Sequence, residues 1–368
     1  MLKRFSVENF KGFRSKVELD FSKSRDYTFN APLIQNGIVN KVLLYGRNAS
    51  GKSNLGFAIM DITMHLTDRP IALANYVNYL NGDSTDTLAH FEYVFLTPKG
   101  KEVIYRYTKD GAMRLCSEEI GVDGQTVFQY NFQTQQVINE IPEAQSIVFD
   151  GRVMDISAVK YMRNNSPQLD AESPIETIVD FANKMLWFRS LRVNEFMGTN
   201  IQPEVISDFI LQGGYLADFE SYLHRHGVDF RLEPYTAPNG KQSILAKYAI
   251  KSFDLFSVVS TGTGSLILLY YWIKKAFRNI RFLFLDEFDA FYHYSLSKTV
   301  LEEINHNPSF QSVLTTHNPY LADNAFMRPD CYWILRDGAV KSFADSTNKV
   351  IREGHSLEHM LLTDEFGN

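Results

Sequence analysis

Lys41-Val-Leu-Leu-Tyr45 runs straight into Gly46-Arg47-Asn48-Ala49-Ser50-Gly51-Lys52-Ser53. The first five residues are a short apolar run of the kind that forms a buried strand. Beyond Ser53, apolar residues at Leu55, Ala58, Ile59, Ile62 and Leu66 repeat near the helical period, so Asn54 to Leu66 reads as a helix. Strand, glycine-bearing loop and helix, in that order, form the context that Gly-x-x-x-x-Gly-Lys-Ser needs to cradle phosphate. The glycines let backbone amides curl around phosphoryl oxygens, Lys52 places a point charge on the β and γ oxygens, and the Ser53 hydroxyl suits Mg²⁺ at the helix N-terminus. The candidate contacts are Gly46, Asn48, Ser50, Gly51, Lys52, Ser53 and Asn54, and the expected ligands are ATP and Mg²⁺.

Three further stretches belong with this loop. Phe282-Leu-Phe-Leu-Asp286-Glu287 is an apolar strand ending in two carboxylates. Asp286 is expected to hold Mg²⁺ through water, and Glu287 to orient and deprotonate an attacking water, an arrangement suited to hydrolysis. Thr315-Thr316-His317-Asn318 follows the next apolar run, placing an imidazole at the carboxyl edge of the sheet, where it is expected to sense the γ-phosphate. Ser260-Thr261-Gly262-Thr263-Gly264 opens the apolar helix Leu266-Ile-Leu-Leu-Tyr-Tyr-Trp-Ile. Its hydroxyl and free amides make a second anion site. One ATP needs one phosphate loop, so Ser260 and Gly262 are expected to face the nucleotide held by another protomer.

Outward from these motifs, Phe5 to Phe13 and Val17 to Phe21 alternate in polarity and read as strands preceding the Lys41–Tyr45 run. Ala89 to Tyr130 reads as an antiparallel meander beside the phosphate-loop strand, with turns at Pro98-Lys-Gly100, Asp110-Gly111 and Asp123-Gly124. From about Ile156 to His226 the pattern turns helical, clearest over Ile175 to Leu186. The expected division is 1–150 for the first part of the ATPase head, 151–235 for a helical insertion and 236–368 for the second part of the head. The fold class is α/β, a mixed-sheet core with an antiparallel β subdomain and an inserted helical subdomain.

The 368 residues, 45% hydrophobic and 22% charged, are those of a globular chain. A net charge of -6 does not draw nucleic acid towards the whole surface, so any DNA contact needs a local basic patch, for which Lys3, Arg4, Lys11, Arg14 and Lys16 are the candidates. Cys116 and Cys331 lie far apart, outside metal-ligand spacing, and read as buried thiols in a reducing compartment. No apolar h-region opens the chain and no stretch approaches the length of a membrane span, so a cytoplasmic protein with no membrane partner is expected.

Phosphate loop, Ser260-Thr-Gly-Thr, Leu285-Asp-Glu and Thr316-His-Asn, in this order, resemble the RecF/SMC branch of ABC ATPases, whose two heads sandwich two ATP molecules. Val7-Glu-Asn-Phe-Lys-Gly-Phe13 is similar to the first strand of that branch. Within it, the chain most resembles the AAA-type ATP-binding proteins of bacterial anti-phage defence islands, including the ATPases of Septu, PARIS and OLD-related systems. The resemblance covers both ends of the chain and not its middle. It implies roles for Lys52, Ser53, Asp286, Glu287 and His317 in one chain, with Ser260 and Gly262 acting in trans. Asp289-Ala-Phe-Tyr-His293 stands where relatives carry a D-loop and a Leu-His-Pro segment, but lacks the proline. The Q-loop glutamine is open among Gln133, Gln135 and Gln136. Too few residues follow His317 for the Toprim domain of OLD nucleases, and the helical span lacks the sustained heptads of a long coiled coil.

These features lead to one expected function and two alternatives. An ATPase forms a head-to-head homodimer or higher even oligomer around ATP and switches a separate effector protein in antiviral defence. Alternatively, a RecF-like ATPase of DNA repair binds duplex DNA, or a slowly hydrolysing scaffold stays locked on ATP. Ile334 to Leu362 is open between docking a partner and packing on the core.

Overall fold

A hairpin of β1 (Leu2–Glu8) and β2 (Val17–Asp20) begins the chain, followed by the two-residue pair β3 (Ile34–Gln35) and β4 (Ile38–Val39). Next, β5 (Lys41–Tyr45) leads through the glycine loop into α1 (Lys52–Met60) and α2 (Thr63–Leu66). The meander is β6 (Leu88–Leu96), β7 (Glu102–Asp110), β8 (Leu115–Val122), β9 (Gln125–Asn131) and β10 (Val137–Asn139). The middle holds α3 (Ala158–Asn165), α4 (Pro174–Asn183), β11 (Met185–Arg189), β12 (Phe196–Gly198), α5 (Ile206–Gln212) and α6 (Leu216–Arg225). A small sheet of β13 (Arg231–Thr236), β14 (Gln242–Lys247) and β15 (Ser252–Asp254) precedes α7 (Leu255–Val258) and α8 (Thr261–Lys275). The chain then runs through β16 (Phe282–Asp286), α9 (Tyr294–Asn305), β17 (Gln311–Thr315), β18 (Tyr332–Arg336), β19 (Ala339–Ser342) and α10 (Leu357–Leu362). This computed structural model describes every residue except 70–72, 150–155, 167–168, 190–195, 199–203 and 368.

The core sheet has the order β12-β11-β16-β17-β5-β18-β19. Its five inner strands are all parallel, and an antiparallel strand closes each edge. Every residue of β5, β16 and β17 is buried, which is why apolar residues fill the middle of each run without alternating, and the polar ones, Lys41, Asp286, Gln311, Ser312 and Thr315, fall at the strand ends. In parallel strands all carboxyl ends lie along one edge, so Tyr45, Asp286 and Thr315 emerge together, and β17 separates the phosphate-loop strand from the acidic one.

The meander builds a second sheet, β10-β9-β8-β7-β6-β1-β2, rather than extending the core beside β5. Its partner is β1, which pairs with β6 from Leu2 to Glu8. Two devices join the sheets. Buried Gln311 at the start of β17 accepts from Leu2 N at 2.7 Å and donates to Leu2 O at 2.9 Å. At the other, Asp61 just past α1 is fully buried and accepts from Lys109 Nζ (2.6 Å) and Tyr107 Oη (2.9 Å) of β7 and from Tyr79 Oη (2.8 Å) in the connection before β6.

That cluster also corrects the expected single helix from Asn54 to Leu66. The backbone closes a tight turn at Asp61, whose N–H bonds Ala58 O, and restarts as α2. A second correction concerns the middle of the chain. The expected helix over Ile175 to Leu186 ends at Asn183, and Met185-Leu-Trp-Phe-Arg189 forms β11, a core strand paired in parallel with β16. The span 151–235 therefore is not helical throughout; parts of it lie outside the described residues.

At the other end, Ile334 to Leu362 sends Leu335, Phe343, Ile351, Leu357 and Met360 into the core, while Arg352 to Ser356 lie exposed. Phe343 is fully buried between Tyr332 and Phe366, stacked on the latter at 4.0 Å. Cys331 is buried, as expected, but Cys116 is only half-buried. No helix among the described residues is long and apolar enough to cross a membrane.

Candidate functional site

Three segments converge at the carboxyl edge of the core sheet: the loop and helix start after β5, Asp286-Glu287 after β16, and Thr315 to Asn318 after β17. The loop needs its glycines for space and backbone freedom. Gly51 sits at φ 105°, and a methyl group there would lie 2.9 Å from the Phe13 ring. At Gly46 a methyl would lie 2.6 Å from Ser50 Oγ and 3.0 Å from Leu335 O. Ala49 takes φ 61°, a left-handed conformation that costs a residue with a side chain about 1–2 kcal/mol.

Lys52, only 6% exposed, closes back over the loop. Its ammonium donates to Gly46 O at 2.8 Å, Arg47 O at 3.2 Å and His317 Nε2 at 2.9 Å. An ammonium has no lone pair, so His317 accepts through an unprotonated Nε2. Burial, followed by the charge of Lys52, holds the His317 pKa below its ordinary 6.5 and favours that form. Burial likewise lowers the Lys52 pKa, partly offset by Asp286 and Glu287. Ser50 Oγ is buried in the loop with no hydrogen-bond partner, a hydroxyl that a phosphoryl oxygen would satisfy.

Fully buried Asp286 is the hub of the acidic side. Ser53 Oγ donates to its Oδ2 at 2.6 Å, and Thr315 Oγ1 donates to its Oδ1 at 2.8 Å. The same Thr315 oxygen accepts from Glu287 N at 2.7 Å. Glu287 itself stands at φ 48°, where the chain turns out of the strand and leaves its carboxylate half-buried at the rim. Strain of this kind persists only where surroundings impose it, here the bonds of Glu287 N and Phe288 N to Thr315. One residue on, Thr316 Oγ1 donates to Asp289 Oδ2 at 2.7 Å, and burial raises the Asp289 pKa.

The donor set fits Mg²⁺. Ser53 and Asp286 bring a hydroxyl and a carboxylate, both hard oxygen ligands, to one point. Among the described residues no group of three or more His, Cys, Asp or Glu side chains could hold a metal ion, so ligands from phosphate and water are required as well. Asn48 is an exposed loop residue, and Asn54 in the first turn of α1 has its Nδ2 only 3.4 Å from where a methyl on Gly12 would sit.

Two expected site residues are not brought to this cluster. Ser260 caps α8, accepting from Thr263 N at 3.2 Å, and lies exposed. Gly262 lies under Phe291 O, which would be 2.7 Å from a methyl there, so the α8 start packs on the segment after Glu287. Gln133, Gln135 and Gln136 fall at the β9–β10 turn, on the edge of the antiparallel sheet, and none lies beside β16. The strand flanking β16 is β11, which puts Arg189 in register with Asp286. Arg189 and Thr315 carry no distinguishing signal in the sequence: Arg189 ends a run whose pattern reads as helical, and Thr315 is a threonine ending an apolar run.

The basic cluster near the N-terminus is largely neutralised. Lys3 pairs with Glu102, and Arg4 and Lys16 share Glu18 and Glu92.

A family model described as "AAA domain, putative AbiEii toxin, Type IV TA system" matches residues 174–323, from α4 to the turn after His317. No curated protein matches the chain. Among solved structures, the chain is similar to an Smc head domain with an extended coiled coil, bound to the C-terminal domain of ScpA, from Pyrococcus furiosus (16% identity, 100% of both chains, TM-score 0.49). It is similar also to the SMC head domain from Thermotoga maritima (15% identity, 93% of this chain and 97% of that one, TM-score 0.45). A third is the recombination mediator RecF in the RecFOR pathway (13% identity, 93% and 98%, TM-score 0.40).

Proposed function

We propose that this chain binds ATP with Mg²⁺ and hydrolyses it. The observation that carries the reading is the convergence of Lys52, Ser53, Asp286, Glu287 and His317, from segments far apart in sequence, at one sheet edge. Lys52 exchanges its contacts to Gly46 O and Arg47 O for phosphoryl oxygens, and Ser50 Oγ finds its missing partner there. Ser53 and Asp286 would hold Mg²⁺, which would neutralise charge on the phosphoryl oxygens. Glu287 takes a proton from the water attacking the γ-phosphorus, and the bond to the ADP oxygen breaks; neutral His317, released by Lys52, donates its single ring N–H as a hydrogen bond to the terminal phosphoryl group.

Exposed Ser260 and, beside it at the start of α8, Gly262 complete the site of a second copy. The site is thus composite, and ATP closes a head-to-head dimer. In this reading the dimer acts as a switch on a separate effector chain in antiviral defence. The description of the matching family model, a putative toxin of a type IV TA system, supports a place in a system of more than one component. The RecF-like alternative draws little support from residues 3–16, where Lys3, Arg4 and Lys16 are paired with carboxylates and only Lys11 and Arg14 lack an ion pair among the described residues.

Purified chain with Mg²⁺ and ATP tests the proposal. Phosphate release that disappears in Lys52→Ala and in Glu287→Gln is expected, with ATP-dependent dimerisation retained in Glu287→Gln and lost in Ser260→Arg. Steady hydrolysis by a strict monomer sinks the composite site; no release by the wild type sinks hydrolysis itself.

A further inference from the structure

Arg189 ends β11, in register with Asp286 on β16. In-register residues of adjacent parallel strands project to the same face of the sheet. Two residues earlier on each strand, Trp187 and Phe284 face α1: a methyl on Gly56 would lie 2.8 Å from Trp187 Nε1 and 2.7 Å from the Phe284 ring. One step nearer the carboxyl edge, Asp286 meets Ser53 in the first turn of the same helix. Arg189 therefore stands on the α1 face, beside the Asp286–Ser53 pair and on the side away from Lys52. The order across the edge is loop lysine, His317, acidic pair, arginine.

The chemistry of this position is unusual for a surface arginine. Arg189 is exposed and, among the described residues, has neither hydrogen bond nor ion pair, although two carboxylates end the neighbouring strand. A guanidinium left free beside Asp286 has its donors available to an anion, and its planar fork matches two phosphoryl oxygens.

Resting on the ATPase reading above, we propose that Arg189 is a phosphate-binding residue that contacts the γ-phosphoryl group of ATP from the β11 side. The loop after β5 cradles the inner phosphates, so oxygens on the far side of Asp286 belong to the outermost group. Arg189 then distinguishes triphosphate from diphosphate, a role Lys52 cannot fill alone because it serves both β and γ oxygens.

Titration calorimetry with Mg²⁺ and either ATPγS or ADP, on wild type, Arg189→Ala, Arg189→Lys and Lys52→Ala, tests this. Losing one charged contact is expected to weaken ATPγS binding by Arg189→Ala about tenfold or more. ADP affinity is expected to stay within about twofold, because no contact to the inner phosphates is removed. Arg189→Lys recovers part of the loss, since it restores charge without the fork. Should the alanine variant show a collapsed thermal transition, Arg189→Gln, which keeps the side-chain length, is read in its place. Equal weakening of both nucleotides, or of neither, overturns the inference while the Lys52→Ala control leaves the ATPase reading standing. If the wild type binds neither nucleotide, both fall.

Discussion

Lys52 Nζ lies 2.9 Å from His317 Nε2, so the cation of the phosphate loop and the imidazole of the β17 edge already form one unit. Protonating His317 removes the acceptor and sets two cations face to face. Its pKa is held below 6.5, first by burial and then by Lys52, so below that pH the unfolded chain binds a proton that the native state resists. This contribution to stability is fully present above about pH 6.5 and is lost as pH falls through that value towards the lower native pKa. Thermal midpoints measured between about pH 8 and pH 5 should therefore fall more steeply for wild type than for His317→Gln. Parallel curves would show that the pair is not titrating.

Thr315 ties Asp286 to the Glu287 amide. Replacing it with valine keeps the shape, removes a donor from the buried carboxylate and leaves a backbone N–H without its acceptor. A loss of about 1–3 kcal/mol in urea denaturation is expected. Turnover should drop by about tenfold or more, because Glu287 is no longer held in its left-handed turn. Unchanged turnover would mean that this bond does not position Glu287.

Gly56 lets α1 lie directly on β16 and β11. A methyl group there would meet Phe284 and Trp187 inside 3 Å, in a site with no slack, so the helix must lift. Gly56→Ala is expected to cost about 1–3 kcal/mol despite the better helix propensity of alanine. Because the shift separates Ser53 from Asp286, the Mg²⁺ dependence of nucleotide binding should weaken more than metal-free binding. A variant as stable as wild type contradicts the packing argument.

Asp61 and Lys109 form an ion pair in which both side chains are almost completely buried. Burial lowers the Lys109 pKa, and Asp61 pulls it back up. Asp61→Ala alone strands the ammonium and is expected to cost about 3–5 kcal/mol. Removing both charges, as in Asp61→Leu with Lys109→Met, should cost markedly less, and a double-mutant cycle measures the coupling. An additive cycle would show that the pair is not what joins α1 to the antiparallel sheet.

The site was legible where chemistry depends on local spacing. The glycines of 46–51, Lys52, Ser53, the Asp286-Glu287 pair and His317 each follow an apolar run, and that context is written in consecutive residues. What escaped was set by neighbours distant in sequence. Met185-Leu-Trp-Phe-Arg189 is too short and too uniformly apolar to separate strand from the end of a helix by period alone. Only its pairing with β16 makes it a core strand. Likewise, the meander's turns were readable, but its attachment to β1 instead of β5 depends on Gln311 and Asp61 finding partners in other segments.

The sequence by itself determined the phosphate cradle, because the space left at Gly46, the backbone freedom at Gly51 and the functional groups of Lys52 and Ser53 belong to one short stretch of chain. It also determined which apolar runs lie inside, because strands buried on both faces are predominantly apolar. Tertiary structure alone decided the strand order that sets β17 between loop and acids, the hydroxyl bridge through Thr315, and the place of Arg189 beside Asp286. Those relationships arise from hydrogen bonding and packing between segments separated by tens to hundreds of residues, for which no local pattern exists to be read.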